Sequence, residues 1–152
     1  MAEFTRPELI IPKLRERDTA GVIKELSSVL HEQGCVPDLL AFYHAALNHE
    51  FLVNSVGDCE IALPHARLNG VRRACFSFGR SASAFSWASR PPRAVRFIFL
   101  LAVPATDAAG FLQLLSALAR LGQQEQLMSE LGGLNTVDRI MELFRQLTLR
   151  QA

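Results

Sequence analysis

Residues 94–103 read AVRFIFLLAV, an apolar run broken only by Arg96. Branched and aromatic side chains dominate it, and it shows neither a polar alternation nor a helical period. A short continuous run of this kind predicts a central strand buried on both faces. Upstream, Ala74, Phe76 and Phe78 alternate with Cys75 and Ser77, as in a strand with one face in the core. Between the two, Ser81–Pro92 is rich in Ser, Ala, Arg and Pro, holds the single Trp87, and reads as a connection.

Helices flank this group of strands. Leu9–Leu14 reads as an edge strand, after which Asp18-Thr19 offers an N-cap. Val22, Ile23, Leu26, Val29 and Leu30 then recur at helical spacing, and Gly34 supplies a stop. A second helix is predicted from Pro37, carrying Leu39, Leu40, Tyr43, Ala46 and Leu47. Residues 53–70 carry Gly, Pro, Asn and Asp throughout and read as irregular, with a short strand at Cys59–Leu63. Downstream, Thr106-Asp107 caps a helix with Leu112, Leu115, Leu118 and Ala119 that ends at Gly122. A short helix over Gln123–Leu131 follows, and Asn135 caps a last one with Val137, Ile140, Met141, Phe144 and Leu147 on one stripe. The fold class is therefore α/β, one domain over residues 1–152, a mixed sheet sandwiched between helices.

Composition narrows the function. The 152 residues are 49% apolar and 20% charged, with a net charge of +1 and no basic stripe, which argues against a nucleic-acid binder. Three scattered cysteines, Cys35, Cys59 and Cys75, form no CxxC pair and suit a reducing compartment. The opening MAEFTRPELIIPKLRERD does not read as a secretory signal, and Phe97–Pro104 is too short to span a bilayer. A cytoplasmic protein, at most peripheral to a membrane, is expected. There is no GxSxG turn for a serine hydrolase. His44, His49, His65 and Cys59 lack the close ligand spacing of a zinc site, so neither metal nor cofactor is expected. His31 and His44 read as helix residues without a special role, the phenylalanines at 76, 78, 97 and 99 as core, and Cys59 as a small, partly buried residue.

The stretch that carries chemistry is Ile61-Ala62-Leu63-Pro64-His65-Ala66-Arg67. Pro64 stiffens the backbone just before His65, so the imidazole can be aimed. Ala66 leaves room for an approaching partner, and the Arg67 guanidinium suits a phosphoryl group. A neutral ring nitrogen is nucleophilic near neutral pH, which fits reversible phosphoryl transfer.

This pattern resembles the phosphorylation-site motif of the type 2 enzyme IIA domains (mannitol, fructose and nitrogen-regulatory class) of the bacterial sugar phosphotransferase system. The early helix, the Glu50–Ser55 approach, the FIFLLAVP strand and the FLQLLSALARL helix fall in that family's order. The resemblance implies that His65 accepts a phosphoryl group from the histidine-containing phosphocarrier protein. The group would then pass to an enzyme IIB domain, or act as a signal to a regulated target. It implies supporting roles for Arg67, Glu50 and Ser55. Where the family has Arg before this Glu, the chain has His49, which is expected to take over part of that role. The family's second histidine is Phe111 here, its glycine before the motif is Glu60, with Asp58 close by, and its Asp-Gly turn is Arg90-Pro91-Pro92. Two readings follow: a carrier with a rebuilt site, or a non-catalytic enzyme IIA-like module that binds partners.

Overall fold

The computed structural model describes residues 2–52, 55–57, 59–89, 91–106 and 108–151, with side chains omitted at 108 and 148–151. Expectations that rest on Asn54, Asp58, Arg90 and Asp107 lie outside these residues. After 3₁₀ turns at Ala2–Phe4 and Pro7–Leu9, the elements in chain order begin with β1 (Ile10–Ile11), α1 (Thr19–Glu32) and α2 (Leu39–Leu52). The strands β2 (Ile61–Ala62), β3 (His65–Leu68), β4 (Cys75–Trp87) and β5 (Arg93–Pro104) follow. The chain closes with α3 (Ala108–Gly122), α4 (Glu125–Gly132) and α5 (Val137–Gln151).

The apolar run over residues 94–103 is the spine of the sheet. β5 pairs antiparallel with β4 on one side and parallel with β2 and β3 on the other, while β1 lies parallel to β4. The result is a mixed sheet with helices on both faces. Because strand side chains alternate, Phe97, Phe99, Leu101 and Val103 enter the core shared with α3, α4 and α5. Ile98, Leu100 and Ala102 enter the core shared with α1 and α2. On the first face Phe76, Phe78, Phe99 and Phe144 pack ring on ring, with centroids 4.7–6.0 Å apart. On the second, the buried Ser77 hydroxyl donates to the Leu26 carbonyl and ties α1 to β4.

Several boundaries differ from the sequence reading. The first edge strand shrinks to Ile10–Ile11, since Leu9 belongs to a 3₁₀ turn, although the Leu14 N–H still reaches the Arg80 carbonyl. α2 starts at Leu39 rather than Pro37, because the Asp38 carboxylate accepts the Ala41 N–H and caps it. α4 covers Glu125–Gly132. The cap of α5 is Thr136, whose hydroxyl accepts the Arg139 N–H, rather than Asn135. The supposed connection after residue 80 is strand: β4 runs on to Trp87, with a bulge between Arg80 and Phe85 opposite β5.

The motif itself is also more regular than its composition suggests. In place of one strand at Cys59–Leu63, β2 and β3 flank Leu63-Pro64, and both hold the same register on β5: Ile61 opposite Phe97, His65 opposite Leu101. Proline has no N–H to give to the ladder, but its carbonyl still accepts the Leu101 N–H at 2.9 Å. His65 is therefore the first residue of a strand resumed after a break, on the outer side of β5.

Candidate functional site

Alternation along β3 turns His65 and Arg67 to one face and Ala66 to the other, where Ala66 is buried against the α1–α2 core. The half-buried His65 ring lies between two others. His49 from α2 is 4.5 Å away and Phe111 from α3 is 5.0 Å away, centroid to centroid. The exposed Arg67 guanidinium sits over the Phe111 ring at 5.1 Å.

One hydrogen bond sets the chemistry of His65. Its Nδ1 lies 3.1 Å from the Leu63 carbonyl. A carbonyl can only accept, so Nδ1 carries the proton and Nε2 keeps its lone pair. Burial pushes the His65 pKa below its ordinary 6.5, and the neighbouring His49 and Arg67 push the same way. The Leu63 carbonyl and Glu50 act in the opposite sense without reversing the shift. A neutral imidazole with a free Nε2 is the nucleophilic form.

Leu63 is itself pinned from behind. Its N–H donates to the Ser55 hydroxyl at 3.1 Å and to the Ser55 carbonyl at 3.3 Å. The Ser55 hydroxyl donates to Glu50 Oε1 at 2.9 Å, the Ser55 N–H reaches the same oxygen at 3.0 Å, and Trp87 Nε1 donates to it at 2.8 Å. Glu50 is 1% exposed. A relay thus runs from Trp87 on β4 through Glu50, Ser55 and Leu63 to Nδ1 of His65. Glu50 and Ser55 connect to the Nδ1 side of the His65 ring through this relay. His49 and Glu50 are successive helix residues, set about 100° apart, so one faces the His65 ring and the other the buried relay. His49 Nδ1 is buried and has no hydrogen-bond partner among the described residues.

The structure therefore gathers His65, His49, Glu50, Ser55 and Arg67 into one site. Two participants had no separate role in the sequence reading: Trp87, hidden in an apparent connection, and the backbone of Leu63. Glu60, whose charge stood close to the motif in sequence, has an exposed side chain and adopts φ +63°, while Cys59 before it has φ 56°. Its carbonyl accepts both the Arg96 and Phe97 N–H groups, which holds this left-handed turn against β5. Among the described residues no three His, Cys, Asp or Glu side chains converge as a metal site requires. No helix among them is long and apolar enough to cross a membrane.

Residues 3–147 match the family described as phosphoenolpyruvate-dependent sugar phosphotransferase system, EIIA 2. The chain belongs to this family. It is 30% identical over 149 residues to the fructose-specific EIIABC component of Bacillus subtilis, covering 96% of this chain but 23% of that protein. It is 29% identical over 131 residues to the fructose-specific EIIA component of Haloferax volcanii, covering 86% of this chain and 85% of the relative. In three dimensions it is similar to the nitrogen regulatory protein IIA-Ntr of Neisseria meningitidis, with TM-score 0.81, 21% identity, and 93% and 97% of the two chains covered. It is likewise similar to IIA mannitol of Escherichia coli, with TM-score 0.77, 18% identity, and 91% and 96% covered. At these identities the structural likeness speaks for the fold.

Proposed function

We propose that this chain is a phosphocarrier whose acceptor atom is Nε2 of His65. The observation that supports it most is the Nδ1 hydrogen bond to the Leu63 carbonyl, which leaves Nε2 as the lone-pair nitrogen. In the proposed step, Nε2 attacks the phosphorus carried on the histidine of the histidine-containing phosphocarrier protein. One P–N bond forms as the other breaks, and the proton on Nδ1 stays in place. The Leu63 carbonyl stabilises the resulting positive ring, Arg67 supplies positive charge toward the phosphoryl oxygens, and the His49 ring, 4.5 Å from that of His65, takes over part of the place of the family's arginine. The onward acceptor is an enzyme IIB domain, and the setting is the cytoplasm. Of the branches of the family we favour the fructose-specific one, because both curated relatives at about 30% identity carry that name.

The test is intact-protein mass after incubation with phosphoenolpyruvate, enzyme I and the phosphocarrier protein from the same organism, beside His65→Ala. An acid-labile gain of one phosphoryl group, absent from the variant, is expected. No gain in the folded wild type would overturn the proposal and leave a non-catalytic binding module of the same fold.

A further inference from the structure

Away from His65, two of the three cysteines meet. Cys35 follows α1, its N–H bonded to the Leu30 carbonyl, and Cys75 opens β4. Both are partly buried against the α1–α2 core and both line one cavity of about 660 Å³. Arg6, Arg72 and Arg73 also line that cavity, against a single acidic side chain, Glu3. The Arg6 guanidinium reaches within 3.9 Å of the Cys35 sulfur. Forty residues separate the two cysteines in the chain, so their meeting is a product of the fold.

We propose that Cys35 and Cys75 form a redox modification site, a dithiol that a hydroperoxide oxidises reversibly to an intramolecular disulfide. The two thiols line the same cavity wall and act on each other unequally. Cys35 has its pKa lowered to about 7, chiefly because the Cys75 thiol donates to it, with Arg6 helping. Cys75 is pushed well above the ordinary thiol range by the same bond and by burial. Cys35 is thus the nucleophile and Cys75 keeps its proton as the resolving partner.

In the first step the Cys35 thiolate attacks the peroxide: an S–O bond forms, the O–O bond breaks, and the departing oxygen takes a proton from solvent. In the second, the Cys75 sulfur attacks the sulfenic acid, the S–S bond forms, and the released hydroxide takes the Cys75 proton and leaves as water. Two thiols lose two electrons, and hydrogen peroxide becomes two waters. A dithiol reductant reverses the change.

The bond would reach toward the phosphoryl site. Cys75 pairs with Ala102 of β5, and Ala102 pairs on its other side with Ala66, the neighbour of His65. One row of the sheet therefore links the dithiol to the histidine strand across about 10 Å.

The test uses the full chain, with Cys59 as internal control. After hydrogen peroxide at low molar excess, maleimide counting should find one free thiol instead of three. A peptide map should join the Cys35 and Cys75 peptides, and dithiothreitol should restore both. In Cys75→Ala, the sulfenic acid should persist on Cys35 and be trapped by dimedone. That variant should also lower the alkylation rate of Cys35 at pH 7 at least about fivefold. In the wild type, where no variant can misfold, iodoacetamide should label Cys35 half-maximally near pH 7 and far ahead of Cys75. Oxidation that falls first on Cys59, disulfides only between chains, or three thiols still free after peroxide would each overturn the proposal.

Discussion

At the scale of single residues, the ionisation of His65 is the most direct handle on the site. Its pKa is lowered mainly by burial, and Phe111 is one of the two rings that cover it. A folded-state pKa below 6.5 means that the nucleophilic form persists to lower pH than in a free histidine. Phosphoryl acceptance should therefore decline only as pH falls through the lowered value, measured as initial rate against pH. The linkage to stability has the matching sign: below 6.5 the unfolded chain takes up this proton more readily, so the His65 contribution is lost as pH falls toward the lowered pKa. Phe111→Ala should let water reach the ring and raise the His65 pKa back toward 6.5, read by NMR titration of its ring protons. The same change empties a site only 7% exposed and should cost about 3 kcal/mol in denaturant unfolding.

Glu60 is the other informative residue. At φ +63° it holds a conformation that costs a side chain with a Cβ roughly 1–2 kcal/mol. The family resemblance puts glycine at this position, and the geometry explains why glycine suits it. Glu60→Gly should stabilise the fold by about 1 kcal/mol, because the greater freedom of glycine in the unfolded chain offsets part of the relief. Chemical denaturation at pH 7 would show it, and an unchanged or lowered midpoint would refute the strain.

At the scale of elements, β5 was legible as a continuous apolar run of strand length, and the core stripe of α5 because it keeps one helical period along the element. β4 was legible only in part. Its first half alternates large and small residues, but beyond Arg80 the apolar signal comes down to Phe85 and Trp87, after a run of Ser and Ala over residues 81–84. Small residues dilute a period of two, and neighbouring prolines suggested a loop. β3 was hidden for a different reason: Pro64 normally argues against a strand, yet here it sits between two pieces in one register.

The union of α4 with the sheet belongs to this scale as well. Arg80 and Arg96, on β4 and β5, both donate to the Gly132 carbonyl at the end of α4, and Arg80 also reaches the Pro12 carbonyl. Two cations thus meet the negative end of a helix rather than a carboxylate. Arg80→Ala should lower stability by about 1.5 kcal/mol, with faster amide exchange in α4 than in α1 as the local signature.

At the scale of the whole molecule, the site draws residues from α2, β3, β4 and α3 and the segment before β2. That explains what sequence could and could not reveal about it. His65 and Arg67 sit in a contiguous motif, and Glu50, Ser55 and His49 follow from the family's order. The Trp87 bond to Glu50 spans 37 positions, and no local pattern announces it. The packing of Phe111 on His65, by contrast, follows from the family's order, which sets a ring against the histidine at this position.

The broken strand has a further consequence. An open sheet ends in two edges, and a bare edge invites another chain to add itself as a strand. On one side β1 offers two residues. On the other, Val56 bridges Ala62 and the Gly57 N–H bonds to the Ile61 carbonyl, so a return of the chain lies along β2. Pro64 then interrupts the line before the four residues of β3. The proline that aims the histidine therefore also blunts the border of the sheet. An incoming strand would find no unbroken line of backbone donors on that side, and the same pyrrolidine ring shapes the approach to His65 and shortens the border of the sheet.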